Sequence, residues 1–233
     1  MSMLSGNSIK MNWLVPLALM LLSNSYVLAR PASSIPELSE LSLASEGENK
    51  APWFCHGIDC PRYTIIDKKD EYELRAYDAT KWASTTITGT QLQQAESMGF
   101  RRLFSYISGA NEKKANIPMT APVKNLITPG AGPFCGSNFT ISFFVPFEFQ
   151  EATPTPSSPD VQIVSKDPFK VYVRSFAGFA QEGTIVQEAA ALAKALEDAS
   201  VQYDADTYVY AGYDAPFRVV NRHNEIWFFS TFA

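Results

Sequence analysis

The sequence predicts an α+β domain: two β–helix–β–β units whose strands close into one twisted antiparallel barrel, with both helices outside or across it. Three observations lead there. Residues 63–88 and 139–145 are rich in β-branched and aromatic residues and are broken by short polar turns. Two stretches, 91–107 and about 182–203, switch to a helical period. The second half also repeats the first. Asp78-Ala79-Thr80-Lys81 with Gly89 matches Asp167-Pro168-Phe169-Lys170 with Gly178, and Ala121-Pro122-Val123 matches Ala215-Pro216-Phe217. Ile141-Ser142-Phe143-Phe144 matches Ile226-Trp227-Phe228-Phe229. Each half has one helix and too little sheet to bury it, so the halves must share their strands.

In chain order, residues 1–29 read as a secretory signal. Lys10 supplies the positive start, 13–22 is an apolar run too short to span a bilayer, and Val27-Leu28-Ala29 fits cleavage after Ala29. No second long apolar segment follows, so the mature chain is expected to be secreted, extracellular and without a stable membrane span. Residues 30–52 are rich in Ser, Glu and Pro and read as a flexible arm; the domain proper is 53–233. Cys55 and Cys60 bracket His56-Gly57-Ile58-Asp59, and Cys135 lies far away. In an oxidising compartment a local Cys55–Cys60 loop is feasible, and so is pairing of Cys135 with either one. The spacing suits neither a structural metal nor covalent haem.

Strands are expected at 63–66, 72–77 and 82–88, with turns at 68–70 and 78–80. On the first helix Leu92, Ala95, Gly99, Leu103 and Ile107 share one face, with Phe100 and Phe104 beside it and Arg101 and Arg102 on the flank. Gly109-Ala110-Asn111 stops it. Asn116-Ile117-Pro118-Met119-Thr120-Ala121-Pro122-Val123 then opens an extended run to Ile127. Its two prolines forbid helix and place the strand at a sheet edge or at a bulge. Residues 128–138 form a Gly/Pro loop, and 151–160, rich in Pro and Ser, reads as a midpoint linker. The second helix is expected to bury Val186, Ala189, Ala190, Ala193, Leu196 and Tyr203. Asn138-Phe139-Thr140 is an N-glycosylation sequon at Asn138.

The chain has 233 residues, 46% of them hydrophobic, 18% charged, and a net charge of −5 without a basic stripe, which argues against nucleic-acid binding. Catalytic constellations are absent from the pattern. His223 reads as an exposed turn residue, the carboxylates are scattered, and no nucleophile elbow or phosphate loop is visible. No side chain stands out as a positioned proton donor. Binding fits better: Phe100, Leu103 and Phe104 offer an apolar surface and the neighbouring arginines offer cations.

Ile117-Pro118-Met119-Thr120-Ala121-Pro122-Val123 resembles the signature of the SOUL/haem-binding protein family, nearest its haem-binding protein 2 branch. Flanking stretches agree and in the same order: Tyr72-Glu73-Leu74-Arg75, Lys81-Trp82-Ala83-Ser84-Thr85, Ser105-Tyr106-Ile107-Ser108-Gly109-Ala110-Asn111, Val173-Arg174-Ser175-Phe176, Ala211-Gly212-Tyr213 and Asn221-Arg222. The resemblance implies a distorted β-barrel flanked by two helices, and a non-catalytic protein that takes haem or another porphyrin reversibly and without a covalent bond, as scavenger, buffer or carrier. It implies a site between the first helix and the Tyr213 loop, with Phe100, Arg101, Leu103 and Phe104 on one side, Tyr213 bordering the ring and Arg218 reaching a propionate. It also implies an axial histidine where this chain has Ala76. Met119, Tyr213 and His56 stand as unranked substitutes. The alternative is a secreted protein-interaction module with a residual pocket.

Overall fold

The computed structural model describes residues 51–89, 91–131 and 136–232. The expected signal at 1–29, nearly all of the expected arm at 30–52, and Cys135 lie outside the described residues. After a 3-10 turn at Trp53–Cys55 come strands β1 (Tyr63–Lys68), β2 (Glu73–Tyr77) and β3 (Thr80–Gly89), helix α1 (Leu92–Ile107), β4 (Val123–Thr128) and β5 (Ser137–Phe144). Then follow β6 (Gln162–Lys166), β7 (Phe169–Phe176), helix α2 (Glu182–Asp198), β8 (Tyr208–Gly212) and β9 (Asn224–Phe229). The strands form one antiparallel sheet in the order β1-β2-β7-β9-β8-β4-β5-β3-β6.

This order forces curvature. Only Asp78 and Ala79 join β2 to β3, yet these strands stand six places apart in the sheet. Six strand spacings would be roughly 29 Å in a flat sheet, whereas two residues bridge only about 10 Å. Asp167 and Pro168 set the same constraint between β6 and β7. The sheet therefore curls until its ends approach, and since β1 and β6 are not paired the result is a distorted barrel.

The duplication is visible as β3-α1-β4-β5 beside β7-α2-β8-β9, joined where β4 pairs with β8. Thr80 and Phe169 open equivalent strands, and 141–144 and 226–229 lie in equivalent strands. The proline correspondence fails: Ala121-Pro122 precedes β4, whereas Ala215-Pro216 follows β8. The expected edge placement fails as well. Pro118 and Pro122 stop short of the ladder, so β4 carries no proline and sits between β5 and β8. Residues 151–160 are not a free linker. They dock on the end of α1, where the Tyr106 hydroxyl donates to Pro154 O at 2.8 Å and Ser157 N–H donates to Ala110 O at 3.0 Å.

Both helices end in the same way. Gly109 (φ 107°) and Ser200 (φ 55°) turn left-handed. The next amides then reach back, Ala110 to Ser105 O and Val201 to Leu196 O, which satisfies the last carbonyls. Ser200 thus stops α2 before Tyr203. The buried face of α2 is Ile185, Ala189, Leu192, Ala195 and Leu196, one step round from the expected stripe, and Val186 is exposed. The face of α1 is as expected, with Tyr106 added. It seats Gly99 directly on β5. A Cβ there would lie 2.8 Å from Ile141 Cδ1 and Cγ1 and 2.9 Å from its Cβ. Because that Cβ cannot swing away, Gly99→Ala is expected to cost about 1–3 kcal/mol; an unchanged melting temperature would contradict this packing.

The helices cover one sheet face around Leu103, Ile141, Leu192 and Ile226. The opposite face, turned into the barrel, holds a smaller cluster with Tyr77, Val171, Val209, Ala211 and Trp227. Phe54, Cys55 and Cys60 close that cluster. Cys55 and Cys60 form a disulfide with Cα atoms 6.1 Å apart.

Candidate functional site

A cleft of about 450 Å³ opens beside α1. Four segments build it. Helix α1 contributes Phe100 and Phe104, the disulfide loop His56 and Ile58, the proline-rich approach to β4 Met119, Thr120 and Ala121, and the chain after β8 residues 213–218. Phe100 and Phe104 lie one turn apart, so their rings stack at 5.8 Å with planes 13° apart. The same helix buries Gly99 and Leu103, which leaves the next residue round on the flank. Phe104 is 50% exposed. Ala121 N–H donates to Asp59 O at 3.0 Å and straps the proline segment to the disulfide loop. Phe54 holds that loop on the opposite side, stacked on His223 at 3.9 Å and edge-on to Tyr213 at 4.8 Å.

Two buried carboxylates organise the polar groups behind the cleft. Asp214, its side chain wholly buried, accepts from His56 Nε2 (2.8 Å) and the His223 N–H (2.6 Å) and forms an ion pair with Arg218, whose Nε lies 3.1 Å away and donates to Val220 O. Glu225, also wholly buried, accepts from Arg75 Nη1 (2.9 Å), the Tyr213 hydroxyl (2.8 Å), Trp227 Nε1 (2.7 Å) and His223 Nε2 (2.7 Å). Burial alone would push the Glu225 carboxyl up. The Arg75 guanidinium and the His223 hydrogen bond outweigh burial and hold it at about 2. Burial, reinforced by Glu225, pushes the Tyr213 phenol well above its ordinary value.

Four of the six residues expected at the site border this cleft: Phe100, Phe104, Tyr213 and Arg218. Leu103 does not. It is fully buried in the helix-side core, because it lies on the same stripe as Gly99. Arg101 does not either. One residue turns a helix by about 100°, and Arg101 lines a separate cavity with Arg102, Ser105 and Pro156. His223 is not an exposed turn residue but is held between Phe54 and Glu225. Ala76 lies in another depression, with Phe169, Phe229 and Phe232, so its lack of an imidazole says nothing about the cleft. Met119, Tyr213 and His56 all border the cleft. Sequence reading missed Asp214, although it follows Ala211-Gly212-Tyr213 directly, and missed Ile58 and Phe217. Asn138 stands exposed on β5, its Oδ1 accepting from Thr88 Oγ1 at 2.7 Å. Among the described residues no group of three or more His, Cys, Asp or Glu is arranged to hold a bare metal ion.

The family model described as SOUL heme-binding protein matches residues 58–229. Heme-binding protein 2 of Homo sapiens is 40% identical over 156 residues, covering 67% of this chain and 76% of that protein. Its Mus musculus counterpart is 38% identical over 192 residues, covering 81% and 91%. Among solved structures, the EcmrR C-terminal domain superposes with a TM-score of 0.52 at 10% identity, covering 71% of this chain and 96% of that domain; this likeness is one of fold alone.

Proposed function

The chain belongs to the SOUL heme-binding protein family, and on that premise we propose that it binds haem or a related tetrapyrrole, reversibly and without a covalent bond, in the cleft between α1 and the Tyr213 loop. It acts as a secreted, non-catalytic scavenger, buffer or carrier. The observation that carries this reading is an apolar cleft walled by two stacked aromatic rings, with one arginine at its border. The stacked pair Phe100–Phe104 presents aromatic surface to a flat apolar ring. Arg218 contacts Asp214 and Val220 O through Nε alone, which leaves its Nη atoms for a propionate. Residues 1–29 and the Cys55–Cys60 disulfide support an extracellular setting.

The test is an absorbance titration of the purified protein with ferric haem. Saturation at one equivalent is expected. Phe104→Ala should weaken it by about tenfold, the value of roughly 1.4 kcal/mol of lost ring contact. A folded protein with no saturable Soret change would sink the reading. That result would favour the alternative, an interaction module, for which the exposed apolar tip of Phe217, Val219 and Val220 is the supporting observation.

A further inference from the structure

Three side chains at the cleft carry atoms that ligate iron, and their surroundings separate them. Tyr213 would have to act as a phenolate. Its hydroxyl is instead committed as a donor to Glu225 Oε2 at 2.8 Å, in a buried setting beside a carboxylate that disfavours ionisation. Met119 is a thioether, which in haem proteins serves beside a histidine. His56 is placed differently. Its Nε2 is 2.8 Å from Asp214 Oδ1, and the other two contacts of that carboxylate come from groups that only donate, Arg218 Nε and the His223 N–H. Asp214 is therefore the acceptor throughout and Nε2 carries the proton. A neutral ring then keeps its lone pair on Nδ1, which makes no hydrogen bond among the described residues. An imidazole whose second nitrogen donates to a buried carboxylate is the arrangement that fixes tautomer and orientation in metal-ligating histidines.

The loop is shaped to hold that ring. His56 and Gly57 both take left-handed backbone (φ 53° and 77°), within the turn closed by Cys55–Cys60. Phe54, immediately before the disulfide, is anchored on His223, whose own N–H is bound to Asp214. Ring, carboxylate and loop thus brace one another.

We propose that His56 is the protein's iron ligand when haem occupies this cleft, through the ring nitrogen not bonded to Asp214, and that Asp214 is its positioning carboxylate. The assignment rests on the haem reading above and places the ligand on the disulfide loop, not on β2 where Ala76 stands.

The experiment compares wild type with His56→Ala, using ferric haem and metal-free protoporphyrin as separate probes. Wild type should give the spectrum of imidazole-ligated iron. His56→Ala should lose that spectrum, bind ferric haem about tenfold or more weakly, and recover the band when free imidazole is added. Its affinity for metal-free protoporphyrin should fall much less than its affinity for ferric haem, because that probe loses only the wall contact of the ring and has no iron to ligate. An identical haem spectrum in both proteins would overturn the assignment while leaving haem binding intact. Equal weakening for both probes would also overturn it, since His56 would then only shape the wall. Failure of wild type itself to bind haem would remove the haem reading and this assignment with it.

Discussion

Arg75→Met is expected to destabilise the protein by about 3–5 kcal/mol, a large fraction of the stability of an ordinary domain. Arg75 and Glu225 are both buried and 2.9 Å apart, joining β2 to β9 across the intervening β7. Removing the guanidinium leaves the Glu225 charge inside the barrel with three remaining donors but no fixed cation. Glu73, which also pairs with Arg75 at 2.8 Å, keeps Lys68 as a partner, so the cost concentrates on Glu225. The double variant Arg75→Met/Glu225→Gln removes the charge yet keeps an acceptor for Tyr213 and Trp227. It should recover most of the loss in urea unfolding. A double variant no more stable than the single one would show that stranded charge is not the cause.

The same pair sets a pH dependence. The Glu225 carboxyl is held at about 2 in the folded chain against an ordinary 4.5. A depressed carboxyl contributes stability that is complete above its unfolded value and is lost as pH falls through its folded value. Unfolding free energy should therefore decline between about pH 4.5 and pH 2. The difference corresponds to about 3 kcal/mol at most. Glu225→Gln should flatten that part of the curve.

What was legible in the sequence follows what is local. Gly109 announces the end of α1, and the stripe from Leu92 to Ile107 is its buried face, because period and turn chemistry are properties of neighbouring residues. Ser200 ends α2 with the same geometry but without a glycine, so the signal was hidden and the helix read too long. His223 was misread for a different reason. Its partner Phe54 lies almost a whole domain earlier in the chain, and no local pattern reveals a stack of that range. Several residues that carry the family resemblance prove to be architectural. Arg75 pairs with Glu225, Asn111 caps the α1 end through Tyr106 O and Ala115 O, and Thr120 donates to Phe144 O. Motif membership alone therefore did not separate scaffold from cleft. The helical angle did: Phe100 and Phe104 fall on the flank, Leu103 inside and Arg101 beyond reach.

Trp227→Ala is the second large effect, expected to cost about 3–5 kcal/mol. Trp227 is fully buried in the smaller, barrel-side cluster, with its ring 5.1 Å from Tyr77. Its large neighbours are held by partners of their own, Tyr77 stacked on Phe169, Phe54 on His223 and Tyr213 bonded to Glu225, so little can move into the void. The substitution also removes the 2.7 Å indole donor from Glu225 Oε2, the oxygen that receives the Tyr213 hydroxyl. Trp227→Phe, which keeps most of the volume, should lose markedly less. Phe104→Ala provides the contrast. Half of that ring is already exposed, so truncation should cost only ~1 kcal/mol of stability, while haem binding falls. Guanidinium unfolding and haem titration on the same two variants separate the roles. If Phe104→Ala proved as destabilising as Trp227→Ala, the flank of α1 would belong to the core and the cleft would lose its aromatic wall. If Trp227→Ala left stability intact, the barrel interior would not be the packed cluster that positions Tyr213, and the polar frame behind the cleft would have to be held from the helix side instead.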